Sequence, residues 1–146
     1  MITLRNFSLV PFLFLLLVGC ATKGPTFTEL APSIDPPSDN AGRIYFYRTT
    51  ILGAALQPEI MINDSGVGKS IAQGFFYIDK EPGKYEIKTT TEVDRTLSLL
   101  LEEGETRYVK FNVSMGFLLG HVYPELVSNE EGEKEIKNCK YTGEWY

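Results

Sequence analysis

The chain is poor in the residues from which metal and redox sites are built. Its 146 residues include one histidine, His121, and two cysteines, Cys20 and Cys139. A zinc site made of a histidine cluster is therefore excluded, no cysteine pair replaces it, and we predict no cofactor. The chain also lacks a basic run, and its 19 acidic residues outnumber 14 basic ones. This balance disfavours nucleic acid as a partner, because a phosphate backbone is bound by clustered lysine and arginine.

A long apolar segment is missing as well. The apolar run at residues 7–18 follows Arg5 and is shorter than the roughly 20 residues that span a bilayer. Residues 1–19 therefore resemble a signal peptide more than a transmembrane helix. The end of the run resembles a bacterial lipobox, in which three residues recognised by the signal peptidase precede the lipidated cysteine: Leu17, Val18, Gly19 and Cys20. An ordinary secretory signal and an uncleaved anchor helix are the alternatives.

Acylation of Cys20 predicts a membrane anchor. Two or more acyl chains hold a protein stably on a bilayer, since each buried methylene contributes roughly 0.8 kcal/mol. Ala21 follows the cysteine, and the absence of aspartate there is associated in enteric-type bacteria with delivery to the outer membrane. We therefore predict a lipoprotein on the outer membrane, facing the periplasm. Cys139 then has no intramolecular disulfide partner, and either burial or pairing with another chain accounts for it.

The retained chain divides into a linker and one folded domain. Residues 20–41 contain four prolines and no hydrophobic period, which predicts an extended tether, with Phe27, Leu30 and Ile34 as candidates for docking part of it. The short alternating stretches of residues 42–146 are typical of an all-β fold, an antiparallel β-sandwich of about seven strands. These stretches lie at residues 42–48, 58–63, 68–72, 74–79, 84–89, 95–101, 107–113 and 121–127.

The acidic stretch that starts at Asn129 predicts a short C-terminal helix. Asn129 suits the N-cap, and the glutamates that follow it suit the positive end of the helix dipole. Gly132 lies within this stretch and weakens the predicted helix by up to about 1 kcal/mol relative to alanine.

The strand-rich part of the chain resembles a known family. The resemblance is carried by blocks that include Gly-Arg-Ile-Tyr-Phe-Tyr-Arg and Pro-Gly-Lys-Tyr-Glu-Ile, and these blocks lie at residues 42–48, 62–68, 74–77, 82–87 and 104–109. Their order and spacing are similar to those of the domain of unknown function 2846 (DUF2846) family of bacterial lipoproteins, over roughly residues 40–127. The resemblance implies an all-β surface domain with no assigned activity.

Three residue patterns suggest chemistry, and each has a simpler structural interpretation. Residues 66–70 end like a phosphate-binding loop, but they lack its first glycine and precede a strand, so a hairpin explains them better. His121 and Cys139 would make a nucleophilic dyad, yet nothing in their spacing supports one. Glutamates around Gly104 and after Asn129 would suit hydrolysis or calcium, but they are more typical of solvated turns. We predict no catalytic residue, no nucleotide and no metal.

Aromatic side chains on two predicted strands form the candidate interaction face. Tyr45, Tyr47 and Tyr77 occupy alternating positions, so one set of residues on these strands faces a core and the other faces outward. An outward set would stack on sugar rings or on a partner protein. Packing inside the domain is the alternative.

These observations favour a membrane-anchored, non-enzymatic binding or interaction module of unassigned activity. Its expected partners are the bilayer, reached through acylated Cys20, and an envelope protein or glycan. The alternative is a hydrolase or binder of a cell-envelope polymer such as peptidoglycan. The first is favoured because the sequence offers no recognisable set of nucleophile, base and orienting group.

Replacing Cys20 by serine tests the predicted anchor. Serine offers no thiol for alkylation, so we expect the Cys20→Ser precursor to remain unlipidated and to leave the detergent phase in a partitioning experiment. A Cys139→Ser variant is the matched control and should partition like the wild type. Unchanged partitioning of the Cys20→Ser protein would contradict the lipobox interpretation.

Overall fold

The computed structural model describes residues 22–116 and 120–143, and this part of the chain forms nine strands, two short α-helices and two single-turn 3-10 helices, Ala31–Ser33 and Ile136–Asn138. The strands are β1 Gly42–Arg48, β2 Glu59–Ile62, β3 Ser65–Lys69, β4 Gly74–Lys80, β5 Gly83–Thr89, β6 Glu92–Leu101, β7 Thr106–Met115, β8 Gly120–Val127 and β9 Lys140–Tyr141. The α-helices are α1 Phe27–Leu30 and α2 Asn129–Glu135. None of the described helices has the length and apolar character needed to cross a membrane. The lipobox residues lie outside the described part.

The strands form two sheets, one of which differs from the predicted antiparallel arrangement. The four-stranded sheet has the order β3-β2-β5-β6 and is antiparallel throughout. The five-stranded sheet, β8-β7-β1-β4-β9, is mixed, because β1 pairs in parallel with β7 and β4 pairs in parallel with β9. The alternation of polar and apolar residues shows which face of a strand each side chain lies on, but not whether the neighbouring strand runs parallel or antiparallel to it. The prediction of a purely antiparallel fold was therefore wrong for this sheet.

A hydrophobic core lies between the two sheets. Ile44 and Phe46 on β1 point into it, and Phe46 stacks on Phe76 of β4 with ring centroids 5.1 Å apart. The four-stranded sheet contributes Ile87 and Leu99, which are almost completely buried. Burying each of these side chains stabilises the fold by about 1.5–3 kcal/mol.

A second cluster covers the opposite face of the five-stranded sheet. Its centre consists of Tyr45, Tyr47, Phe75 and Tyr108, and α2 and the segment around α1 lie over it. Phe27 of α1 packs edge-on against Tyr45 and Phe75, with centroid distances of 5.5 and 5.4 Å.

The N-terminal segment is therefore packed and does not form the predicted extended tether. Thr26 and Glu29 form a capping box that starts α1. Arg43 then secures the end of the segment, since its Nη1 donates to the Asp35 carbonyl at 2.6 Å while its Nε donates to Asp79 at 2.7 Å. Docking of Phe27, together with Leu30 and Ile34, buries apolar surface that an extended tether would leave in water.

The predicted C-terminal helix is confirmed, with one difference at its start. Ser128, and not Asn129, is the N-cap, and its Oγ accepts a hydrogen bond from the Glu131 N–H at 3.2 Å. Gly132 is buried against the Tyr108 ring, and a Cβ added there would collide with that side chain, lying 2.7 Å from its Cδ1. The glycine that weakens the isolated helix therefore lets the helix approach the sheet.

Replacing Gly132 by alanine should destabilise the protein. Alanine gains up to about 1 kcal/mol of helix propensity, but overpacking a filled core costs about 1–3 kcal/mol, so we expect a net loss in the free energy of unfolding. Chemical denaturation measures this loss, and Glu133→Ala on the exposed side of α2 is the control. A Gly132→Ala variant more stable than the wild type would show that the contact with Tyr108 does not limit the packing.

Candidate functional site

The structure corrects the predicted aromatic interaction face. Tyr45 and Tyr47 retain only 7% and 1% of their accessible surface. Tyr45 stacks on Tyr108 with centroids 5.1 Å apart, and Tyr77 lies partly buried under the Arg43 guanidinium, 4.4 Å from its ring centroid. The alternative of internal packing holds for Tyr45 and Tyr47, because the N-terminal segment and α2 cover the face that strand alternation leaves open.

Three polar side chains, those of Tyr47, Lys110 and Glu135, connect α2 to the sheet beside this cluster. The Tyr47 hydroxyl donates to Glu135 Oε2 at 2.8 Å, and Lys110 Nζ donates to Glu135 Oε1 at 2.8 Å. Burial, followed by the nearby Glu135 carboxylate, raises the pKa of Tyr47 well above its usual value. Partial burial opposes ionisation of Glu135, but the hydrogen bonds from Lys110 and Tyr47 outweigh it and lower the pKa of Glu135. The ion pair of Lys110 and Glu135, together with the hydrogen bond from Tyr47, therefore joins α2 to the sheet.

The two residues of the imagined dyad lie in different parts of the fold. Cys139 is buried in the cluster under α2, where its Sγ lies 3.8 Å from the Arg48 carbonyl oxygen. Burial, with a smaller effect of Glu135, raises the pKa of the Cys139 thiol to about 12, which disfavours the nucleophilic thiolate. His121 instead contacts the Thr91 carbonyl through Nδ1 at 2.9 Å, beside the turn between β5 and β6.

The loop-like motif at residues 66–70 and the glutamates around Gly104 also have structural roles. Residues 65–69 form β3 of a hairpin, and Gly68 packs under the Phe76 ring where a helix would follow in a phosphate-binding loop. Glu105 Oε2 accepts from the Glu102 N–H at 2.9 Å, and Glu105 Oε1 pairs with Arg107 at 2.8 Å, which closes the turn before β7. Within the described residues, no three potential ligands cluster to hold a metal ion.

Arg48 is a buried cation that organises a surface loop. Only 1% of it is exposed, and its two terminal nitrogens donate to the carbonyls of Leu52, Gly53 and Leu56 at 2.5–2.8 Å. Burial lowers its pKa. A guanidinium supplies several donors in one plane, so it can fix three carbonyls of the loop at residues 49–57 at once.

A depression on the four-stranded sheet is the candidate site. It has a volume of about 380 Å³ and is lined by residues of β5 and β6, namely Lys84, Tyr85, Glu86, Ser98, Leu99 and Leu100. In the strand register, Lys84 lies opposite Leu100 and Glu86 lies opposite Ser98. Leu100 keeps 50% of its surface in water, whereas its neighbours Leu99 and Leu101 are buried.

The sequence contains a signal for this site that the motif search did not use. In the stretch Leu97-Ser98-Leu99-Leu100-Leu101, the alternation places Leu97, Leu99 and Leu101 on the inward face of the strand. Position 100 then faces outward, where a polar residue is expected, but it is occupied by leucine. An apolar residue that breaks such a pattern is a candidate for a contact with another molecule.

The ion pair at α2 should make the stability of the domain depend on pH. The folded-state pKa of Glu135 lies below its unfolded value, so its contribution is present above the unfolded pKa and is lost as the pH falls through the folded pKa. Glu135→Gln should remove about 1 kcal/mol at neutral pH, allowing for solvent screening, and should flatten the decline in stability toward acid. Thermal unfolding between neutral and acidic pH measures both effects. A Glu103→Gln control, at an exposed position in the turn before β7, should change neither, and equal behaviour of the two variants would contradict this role for Glu135.

Comparison with known proteins places the chain in a family. The chain is 32% identical over 127 residues to an "Uncharacterized protein" of Haemophilus influenzae, an alignment that covers 84% of this chain and 75% of the relative. No solved structure matches this chain. Residues 38–122 match the family described as "Protein of unknown function (DUF2846)". The chain therefore belongs to the DUF2846 family, as its sequence blocks predict.

Proposed function

We propose that the chain is an envelope lipoprotein, anchored in the outer membrane through acylated Cys20 and facing the periplasm. Its domain acts as a non-enzymatic interaction module that binds an envelope protein at the depression between β5 and β6. The anchor part of the proposal rests on the lipobox sequence, and the binding part rests on the surface around Leu100.

The half-exposed Leu100 beside this depression is the observation that supports a binding role. Leu100 offers an apolar surface from which a partner can exclude water, and Lys84, Glu86 and Ser98 place polar groups around it. Small protein interfaces have this composition. Leu100 also lies on β6, the last strand of its sheet, so a partner can approach it without displacing another strand.

Binding of a cell-envelope polymer is the second candidate function, and the polar side chains at this depression favour it. Lys84, Glu86 and Ser98 lie around Leu100 on the outward face of β5 and β6. Side chains that donate and accept hydrogen bonds suit the hydroxyl groups of a sugar. Hydrolysis of the polymer is less well supported, since glycoside hydrolysis uses two carboxylates and Glu86 is the carboxylate among the lining residues.

Site-specific crosslinking in living cells tests the proposed site. A photoreactive phenylalanine analogue at position 100 should capture one recurrent envelope protein, and Lys84→Glu should weaken that capture because it reverses a charge at the edge of the depression. The control carries the analogue at Leu126, an exposed apolar residue on the edge strand β8 of the other sheet.

Mass spectrometry of the adducts separates the outcomes. A protein captured at position 100 and absent at position 126 supports the interaction module. Wall polymer captured at position 100 favours the second candidate function instead. Identical adducts at the two positions would contradict a specific site on β5 and β6.

A further inference from the structure

Three exposed apolar side chains lie on two connections of the five-stranded sheet. Ile51 and Leu52, in the loop at residues 49–57, are 70% and 53% exposed, and Met115 at the end of β7 is 63% exposed. The loop contains no charged residue. We call Ile51, Leu52 and Met115 the apolar end. Their exposure is unusual for large apolar side chains that lie together on a protein in water.

The strand register brings these residues to one end of the domain. The loop leaves β1 after Arg48, and β7 runs parallel to β1 with Lys110 opposite Tyr47, so Met115 lies beyond the same end of the sheet. The loop packs against this part of β7 and β8. Gly53 lies close to Val113, since a Cβ added to the glycine would be 3.3 Å from Val113 Cγ1, and the Leu56 side chain packs on Gly120.

The described chain begins at this same end. Thr22 Oγ1 donates a hydrogen bond to the Ala72 carbonyl at 2.7 Å. Ala72 lies two residues before Gly74, the first residue of β4, and Gly74 pairs with Arg48 at the end of β1. The turn before β7 marks the opposite end, where the Gly104 N–H donates to the Ala41 carbonyl at 2.9 Å.

We propose that the apolar end rests on the bilayer that holds the acyl chains of Cys20. This inference rests on the anchor of the proposed function. Cys20 precedes Thr22 by two residues, and two residues of chain reach at most about 7 Å. An acylated Cys20 therefore brings the Ala72 end of the domain against the headgroups, and the apolar end lies at that side.

The chemistry of the surface suits lipid as its occupant. The bilayer accepts Ile51, Leu52 and Met115 without needing polar partners, and the loop at residues 49–57 brings no charge to the membrane. Arg48 holds three carbonyls of the loop from inside the fold, so the loop presents its apolar side chains in a fixed shape.

Depth-dependent fluorescence quenching tests this orientation on the full lipidated chain. Ile51→Cys carries an environment-sensitive fluorophore, Met115→Cys is a second position in case the first variant fails to fold, and Glu103→Cys at the opposite end is the control. Acylation blocks the thiol of Cys20, and the buried Cys139 has a pKa raised to about 12 by burial, so the introduced cysteine reacts selectively. The proteins are reconstituted into phosphatidylethanolamine–phosphatidylglycerol vesicles that contain a lipid with a nitroxide on its acyl chain.

If the apolar end rests on lipid, the emission of the fluorophores at positions 51 and 115 shifts to shorter wavelength, and the nitroxide lipid quenches most of it. The fluorophore at position 103 should do neither. Co-flotation with the vesicles, measured on the same samples, reports the anchor separately. Protein that floats without quenching at positions 51 and 115 overturns the inference and leaves the anchor standing, whereas protein that does not float overturns both. A wavelength shift that grows with protein concentration and is not quenched identifies a second copy as the occupant and also overturns the inference.

Discussion

Burial of both faces of β1 is the constraint on which the rest of the structure depends. All seven residues of Gly42–Arg48 are buried, with Ile44 and Phe46 on one face and Tyr45 and Tyr47 on the other. A strand with large apolar side chains on both faces needs two covers. The four-stranded sheet covers one face, while the segment around α1 and the C-terminal helix α2 cover the other. Segments from both ends of the described chain therefore pack against β1.

This double burial assigns most of the reactive side chains to structural roles. The Tyr47 hydroxyl, the Arg48 guanidinium and the Cys139 thiol each bond to a group of the fold, as buried polar groups require. The surfaces proposed for binding lie at the periphery, at Leu100 on β6 and at the loop after β1.

Packing of the N-terminal segment also relates the two proposed surfaces to each other. A flexible tether would let the domain turn freely above the membrane. With Thr22 bonded to Ala72, the proposed lipid on Cys20 would instead direct one end of the five-stranded sheet toward the bilayer. The depression beside Leu100 belongs to the other sheet, so binding of a partner there and contact of the apolar end with lipid use different sheets of the same domain.

The sequence by itself determined the positions of most strands, the short C-terminal helix and the family, because alternation, turn residues and ordered blocks are local patterns. The lipobox is local in the same sense, and its consequence remains a prediction. Only the tertiary structure decided that β1 pairs in parallel with β7 and that the face of Tyr45 and Tyr47 is covered. It also decided that Gly132, which was expected to weaken the helix, lets the helix pack against Tyr108. The physical reason is that alternation assigns a side chain to a face, whereas what lies on that face depends on segments distant in the chain, whose contacts leave no local pattern.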